Sequence, residues 1–278
     1  MFLWPEAIIF GVFGLIIGSF LNVFILRHGV RSLGGRSSCM QCGRTLTWMD
    51  LVPVFSWVLL KGRCRTCACP ISVQYPLVEA STAILFALIG GAFLPLIIKI
   101  LALPIIALLI AITVYDYQHT IIPDEWSYSF AFLALVIAFV ATWYMQTPQW
   151  IIAELLAGPV TALPLFCFWL FSRGRWMGLG DAKLALGIGW LLGFPNGLVA
   201  LFFSFIIGAA VSLCILIPLP HILRFLKKRG ITALRAKSLP LTMKSEVPFG
   251  PFLIASCIAL WLMMIYGIPV EFFSLLGA

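Results

Sequence analysis

Residues 96–126 read LIIKILALPIIALLIAITVYDYQHTIIPDEW, and this stretch decides what kind of molecule the chain forms. Between Ile97 and Tyr115 only Lys99 carries a charge, and a helix of about 20 such residues crosses the roughly 30 Å hydrocarbon layer of a bilayer. The run stops at a carboxylate, Asp116, and a second apolar run opens at Trp126, behind Pro123, Asp124 and Glu125. Asp124 and Glu125 suit the first turn of a new helix, where a proline is tolerated and negative charge is favoured. Asp116 has no such local reason to be there. A carboxylate at membrane depth costs roughly 2.5 to 3.5 kcal/mol on insertion scales, so it usually faces the interior of a bundle and serves a function.

The same pattern extends in both directions. Of the 278 residues 62% are hydrophobic and 10% charged, more apolar surface than a water-soluble fold can bury. The expected fold is therefore an all-α polytopic membrane protein. Eight helices are predicted near 6–26, 76–93, 97–115, 126–145, 150–171, 182–194, 197–219 and 248–270. The sixth is short and carries Gly187, Gly189 and Gly193, so it is expected to be tilted, re-entrant or protected inside the bundle. Residues 1–26 lack a basic leader and a small-residue cleavage site and read as a retained first helix. Residues 27–75 form a cysteine-bearing loop domain, and residues 76–278 a helical core interrupted by a basic loop at 220–247.

Lysine and arginine collect in loops that stay on the cytoplasmic side. Loop 27–75 holds Arg27, Arg31, Arg36, Arg44, Lys61, Arg63 and Arg65; loop 220–247 holds Arg224, Lys227, Lys228, Arg229, Arg235, Lys237 and Lys244. Eight spans put both loops on one side with Arg173, Arg175 and Lys183, leave Lys99 alone opposite, and send both termini away from the cytoplasm. The net charge of +8 is then topogenic. A nucleic-acid partner is not expected, since neither loop interleaves aromatics with its charges, while the lipid bilayer, including its anionic headgroups, is.

Two groups of residues carry chemistry. Cys39-x-x-Cys42 and Cys64-x-x-Cys67 are paired thiols whose spacing approaches that of zinc ribbons, so four thiolates can hold a structural zinc ion. Free or redox-active thiols are the competing reading. Cys69 breaks the symmetry of the pairs and stays outside the ligand set, while Cys167, Cys214 and Cys257 stand singly in apolar runs as small hydrophobes. The second group is Asp116 with Asp181, which follows Gly178 and Gly180 at the head of the sixth helix. Those glycines let backbone come close and open a gap beside the carboxylate for an extended peptide. Two carboxylates brought together share a proton, which suits hydrolysis without metal or covalent intermediate.

Gly18-Ser19-Phe20-Leu21-Asn22-Val23, the two cysteine pairs, Tyr75-Pro76-Leu77-Val78-Glu79, Asp116 with Ile122-Pro123-Asp124, Gly178-Leu179-Gly180-Asp181-Ala182-Lys183 and Pro248-Phe249-Gly250-Pro251 occur in that order. This ordered set resembles the bacterial type IV prepilin peptidases, which are intramembrane aspartic proteases of the GxGD type. The resemblance implies an inner-membrane enzyme that removes the short basic leader of type IV prepilins or type II secretion pseudopilins on the cytoplasmic side. It also implies N-methylation of the new terminus by S-adenosylmethionine, catalytic roles for Asp116 and Asp181, and zinc on Cys39, Cys42, Cys64 and Cys67. No glycine-rich turn of the dinucleotide type marks a methyl-donor site.

Glu79 and Glu246 are candidate partners for the leader's basic residues, the alternative for Glu79 being a local arginine. Lys183 stands two positions from Asp181, so on a helix the two do not face each other, and it is expected to pair elsewhere or anchor at the interface. Asn22 is expected to bond between helices. Three other readings stay open. The chain is a peptidase without the methyltransferase, an ion-coupled transporter using the aspartates, though no inverted repeat is visible, or a scaffold that leaves both aspartates unexplained.

Overall fold

Pro5 stands in the first turn of α1, Trp4–Arg27, where its missing amide costs nothing. The computed structural model describes residues 2–29, 32, 34–144, 151–216 and 248–268; the expected basic loop 220–247, Glu246 and Arg31 lie outside the described residues. After α1 comes the cysteine loop, which holds a 3-10 turn at Trp48–Asp50 and a short α2, Phe55–Leu59. Then follow α3 (Gln74–Gly91), α4 (Leu96–His119), α5 (Asp124–Tyr144), α6 (Ile151–Ser172), α7 (Leu179–Leu192), α8 (Asn196–Val211, extended by a π turn at Ser212–Leu216) and α9 (Gly250–Ile265). Each expected helix has a counterpart, while α2 and the 3-10 turn in the loop were not foreseen.

Among the described residues, five helical segments are long and apolar enough to cross a membrane: Trp4–Arg27, Leu96–His119, Asp124–Tyr144, Ile151–Ser172 and Asn196–Cys214. The helices run alternately up and down, as polar contacts at the two ends make plain. At one end Gln118, on the last turn of α4, donates to Gln74 at the start of α3 (2.5 Å), and Lys183 at the start of α7 donates to Asp124 at the start of α5 (2.7 Å). At the other end Lys99, near the start of α4 and only 1% exposed, donates to Glu6 in α1 (2.5 Å) and to the Gly90 carbonyl in α3 (2.8 Å). The Tyr266 hydroxyl, just past α9, donates to the Leu88 carbonyl at that same end (2.7 Å). Lys99, the one lysine expected on the far side, is thus a buried ammonium matched by the partly exposed Glu6 and joins three helices, which meets the requirement that a charge withdrawn from water be matched.

The α1/α3 pair packs on α4, and α4 joins it to the bundle of α5 to α9. At the bundle's centre is α7, against α5, α6, α8 and α9, with eight of its 14 residues buried. A helix of that length rises only about 21 Å, short of the hydrocarbon layer, and its burial against four helices meets the expectation of protection inside the bundle. Its start is earlier than expected, at Leu179, which brings Asp181 into the first turn. Glycines make its burial possible. A Cβ on Gly187 would lie 2.5 Å from the Phe130 ring of α5, and one on Gly189 would lie 2.4 Å from the Ala157 carbonyl of α6.

The same device joins α1 to α3, where Gly11, Gly14 and Gly18 form a stripe at helical spacing facing Ala87, Ala83 and Glu79. A Cβ on Gly14 would stand 2.7 Å from the Ala83 Cα, so the backbones themselves are in contact. Gly14→Leu should force the pair apart and cost about 1–3 kcal/mol, seen as a lowered thermal midpoint of the detergent-purified protein. An unchanged midpoint would mean that the two helices do not meet at this depth.

Candidate active site and cysteine cluster

Asp116 lies one turn from the end of α4 and is 4% exposed. The helix ends because Thr120 takes a left-handed conformation (φ 53°) and returns its amide to the Asp116 carbonyl at 2.7 Å. The carboxylate has a different partner. Its Oδ2 accepts the backbone N–H of Gly250 at 3.1 Å, and Gly250 opens α9, so the partial positive charge of a helix N-terminus is directed at it. A Cβ on residue 250 would lie 2.5 Å from that oxygen, which is why the approach requires glycine.

Asp181 is held in a related way. Gly178 is the N-cap of α7 and Asp181 its third residue, so the partial positive charge of that helix start falls on the carboxylate. Asp116 is near enough for its charge to act on Asp181. Ile122 is common to both sides, since a Cβ on Gly180 would be 3.1 Å from the Ile122 Cβ and one on Gly250 3.2 Å from its Cδ1. The two glycines before Asp181 therefore differ: Gly180 closes onto Ile122, whereas a Cβ on Gly178 would meet only Asp181 Oδ2 (3.7 Å) and the Gly180 nitrogen (3.9 Å), leaving space beside the carboxylate.

Lys183 is turned away to Asp124, with its ammonium 5.4 Å from the centre of the Tyr128 ring. Rings that the sequence did not single out border Asp116 along the chain. Tyr115 stacks on His119 at 4.3 Å, and Trp126 meets Tyr115 (5.2 Å), His28 (4.5 Å) and Phe24 (4.9 Å). Glu79 does not join the pair. Its buried carboxylate accepts the Val54 amide at 2.7 Å, so α3 is tied to the cysteine loop without an arginine. Asn22 donates to the Tyr75 carbonyl at 3.2 Å, the expected bond between helices.

The cysteine loop is two copies of one knuckle. In the first, Gly43 donates to the Cys39 carbonyl (2.9 Å) and Cys39 to the Arg44 carbonyl (2.9 Å); in the second, Ala68 donates to Cys64 (3.0 Å) and Cys64 to Cys69 (2.8 Å). Gly43 (φ 70°) and Ala68 (φ 55°) take the same left-handed turn, which Ala68 makes against its steric preference. Single bridges, Ser38 to Thr45 and Arg63 to Pro70, close the two knuckles. Each turn directs backbone amides at sulfur. The amides of Cys42 and Gln41 pull the Cys39 thiol down to about 6, and those of Cys67 and Thr66 lower Cys64. The Arg44 amide lowers Cys42, and the Cys69 amide lowers Cys67, but neighbouring thiols and burial carry both up to about 11.

The sulfurs of Cys39, Cys64, Cys67 and Cys69 all lie within 4.8 Å of one another, a group that takes in Cys69 and leaves out Cys42 of the expected set. Sulfur ligands with amide support fit a soft, tetrahedral divalent metal such as zinc. Cys69, which the spacing left outside, is brought into the cluster 3.5 Å from Cys39. Sequence reasoning also missed Asp50, whose carboxylate accepts Arg44 of one knuckle (3.2 Å) and Arg65 of the other (3.0 Å). Burial pushes the Asp50 carboxyl up, but bonds from Thr47 and the charges of Arg65 and Arg44 outweigh it and hold the group below its usual value. The signal available for Asp50 was the Thr47-x-x-Asp50 pattern of a capped turn.

Residues 12–93 match the bacterial peptidase A24 N-terminal domain and residues 103–213 the type IV leader peptidase family. A prepilin leader peptidase/N-methyltransferase of Bacillus subtilis (strain 168) is 36% identical over 203 residues, which is 71% of this chain and 78% of that protein. One from Pectobacterium carotovorum subsp. carotovorum is 33% identical over 220 residues, covering 69% and 77%. One from Aeromonas hydrophila is 28% identical over 291 residues, covering 95% and 92%. No solved structure matches the chain.

The contact between Gly250 and Asp116 is open to a direct test. Gly250→Ala should lower stability by about 1–3 kcal/mol, because the methyl group is driven into Oδ2. In an Asp116→Ala background the same change should cost less than about 0.5 kcal/mol. Equal costs in the two backgrounds would mean that the residues do not touch.

Proposed function

The chain belongs to the type IV leader peptidase family, and from that premise we propose that it cuts the leader from type IV prepilins or type II secretion pseudopilins with Asp116 and Asp181, then N-methylates the amino group it exposes. The observation that carries the assignment to these residues is that Asp116, bonded to the Gly250 amide at the start of α9, and Asp181, in the first turn of α7, come together around Ile122, which lies against both Gly180 and Gly250. Among the described acids, Asp124 is matched by Lys183, Glu6 by Lys99 and Asp50 by two arginines. The Asp116 and Asp181 pair keeps its chemistry available.

In the proposed reaction one carboxylate of the pair is protonated and the other ionised, the proton belonging to the pair. The ionised member takes a proton from water, whose oxygen adds to the scissile carbonyl. The protonated member then gives its proton to the departing nitrogen as the C–N bond breaks. The leader leaves with a new carboxyl group and the mature subunit with a free amine. Lys183 aids this by staying on Asp124, since an ammonium at Asp181 would favour keeping both carboxylates ionised. The space beside Gly178 suits an extended backbone entering next to Asp181. S-adenosylmethionine would supply the methyl group to the exposed amine and leave as S-adenosylhomocysteine.

We place α1 and α3 to α9 as eight spans of a bacterial cytoplasmic membrane. Asp116, Asp181 and the cysteine loop then face the cytoplasm and both termini face away, an arrangement supported by the basic loops and by the shared end of the bundle. The basic leader would lie in the cytoplasm and the apolar segment behind it among the spans. Zinc is the proposed metal, held by Cys39, Cys42, Cys64 and Cys67, and it would fix a loop too small to fold on an apolar core. Glu79, bound to the Val54 amide, would act on the leader through the position of that loop.

The test is the product mass of a prepilin incubated with the detergent-purified protein, beside Asp116→Asn and Asp181→Asn variants whose helical content is unchanged. Leader removal should fall by at least about 10³-fold in either variant, as when one member of a catalytic unit is lost. S-adenosylmethionine should add a methyl mass with the unmutated protein. Cleavage that survives either substitution would overturn the pair, and a product never methylated would leave a peptidase alone.

A further inference from the structure

Asp50 is the only charged residue between Thr47 and Leu60, and it is turned inward, bonded to Arg44 and Arg65. The apolar side chains of the same stretch are turned out. Trp48 is 74% exposed and Leu59 81%, with Met49, Leu51, Val52, Phe55 and Val58 exposed between them. Trp57 is the exception, its indole nitrogen donating to the Ile71 carbonyl within the loop at 3.2 Å. For a segment surrounded by water this reverses the usual order.

The place of the segment in the fold accounts for the reversal. Leu51 and Pro53 line a groove together with Ile16, Ser19, Phe20 and Val23 of α1. Ile16 and Phe20 are exposed on that helix, and at 1.5 Å per residue Ser19 lies about 12 Å along the axis from Arg27, where α1 ends. The loop therefore runs back beside α1, to a depth that is hydrocarbon if α1 is a span. The backbone agrees with this depth. Val54 takes a left-handed conformation (φ 61°) that a β-branched residue avoids, and its amide meets the buried Glu79 carboxylate at 2.7 Å, as a backbone donor away from water requires. Lys61 and Arg63 follow, both exposed, where a segment leaving hydrocarbon would meet phosphate headgroups.

We propose that residues 48–59 form a wedge in the cytoplasmic leaflet, with Trp48, Phe55, Val58 and Leu59 against lipid acyl chains and Lys61 and Arg63 among the headgroups. The occupant of this apolar face is the bilayer, because the shared groove makes the face continuous with the outward side of α1. A short segment with aromatic and aliphatic side chains on one side and basic residues beside it suits the boundary between headgroups and acyl chains. The wedge would hold the cysteine loop down on the membrane. The inference rests on α1 as a span and on neither the carboxylate pair nor a metal.

The test places p-benzoylphenylalanine at position 16, 40, 55 or 59 in turn, reconstitutes each purified protein in nanodiscs of phosphatidylethanolamine and phosphatidylglycerol, irradiates it and reads the adducts by mass spectrometry. Lipid adducts are expected at 16, 55 and 59 and none at 40, since Met40 is exposed on the first knuckle outside the wedge. An adduct at 16 with none at 55 and 59 would overturn the wedge, as would a cross-link from 55 or 59 to a second copy of the chain or a lipid adduct at 40 equal to theirs. No adduct at 16 would overturn α1 as a span and the wedge with it. The unmutated protein gives an independent reading, because hydroxyl radicals should oxidise Met40 in nanodiscs and spare Trp48 and Met49. Oxidation of all three alike would also overturn the proposal.

Discussion

The bond from the Gly250 amide to Asp116 joins residues 134 positions apart, and much of the architecture exists to make that one contact. A carboxylate taken out of water needs partners, and an apolar bundle has few to offer. The free amides at helix starts are among them. Bringing the start of α9 onto the end of α4 obliges the chain to run its helices alternately, so that ends of the right kind meet at the same level. Asp181 meets the same need within its own helix, from its place in the first turn of α7. Ile122 then fills the contact beneath both glycines, so its bulk helps to set how near the two carboxylates come.

Close approach is the second constraint, and it explains where the bundle spends its glycines. In hydrocarbon, apolar side chains gain nothing by leaving lipid for protein, so helices associate through close packing and polar contacts. The Gly11, Gly14 and Gly18 stripe puts α1 on α3, and Gly187 and Gly189 seat α7 against α5 and α6. The helix that carries Asp181 is shorter than the layer is thick and packs against four neighbours. Its polar first turn is thus reached from one end of the bundle only. The second charge at depth, Lys99, marks the opposite end, where Glu6 and the Gly90 carbonyl compensate it.

The cysteine loop solves a different problem, that of ordering about 45 residues with little core. Its two knuckles turn amides inward to sulfur, while Asp50 ties Arg44 to Arg65 across them. Glu79 links this assembly to α3 through Val54, and Asn22 links α1 to the start of α3. Changes in the loop therefore have a physical route to the helices.

Apolar run lengths are a local property, so the eight helices, the short α7 and the interior placement of the acids were legible in the sequence, as were the paired cysteines and the two aspartates. Lys183 was also legible as a residue that does not serve Asp181, because helical spacing alone turns it aside. The Gly250 amide was not legible, although its motif was, because the bond is made by backbone and carries no side-chain signature. The entry of Cys69 into the thiol cluster depends on how two distant turns face each other, and Asp50 matters only once Arg44 and Arg65 are brought to it. Sequence by itself determined which residues the membrane would accept and which it would force inside. Which of those inner residues touch was decided by the tertiary structure, because a hydrogen bond or a thiol contact depends on a few ångströms between segments far apart along the chain.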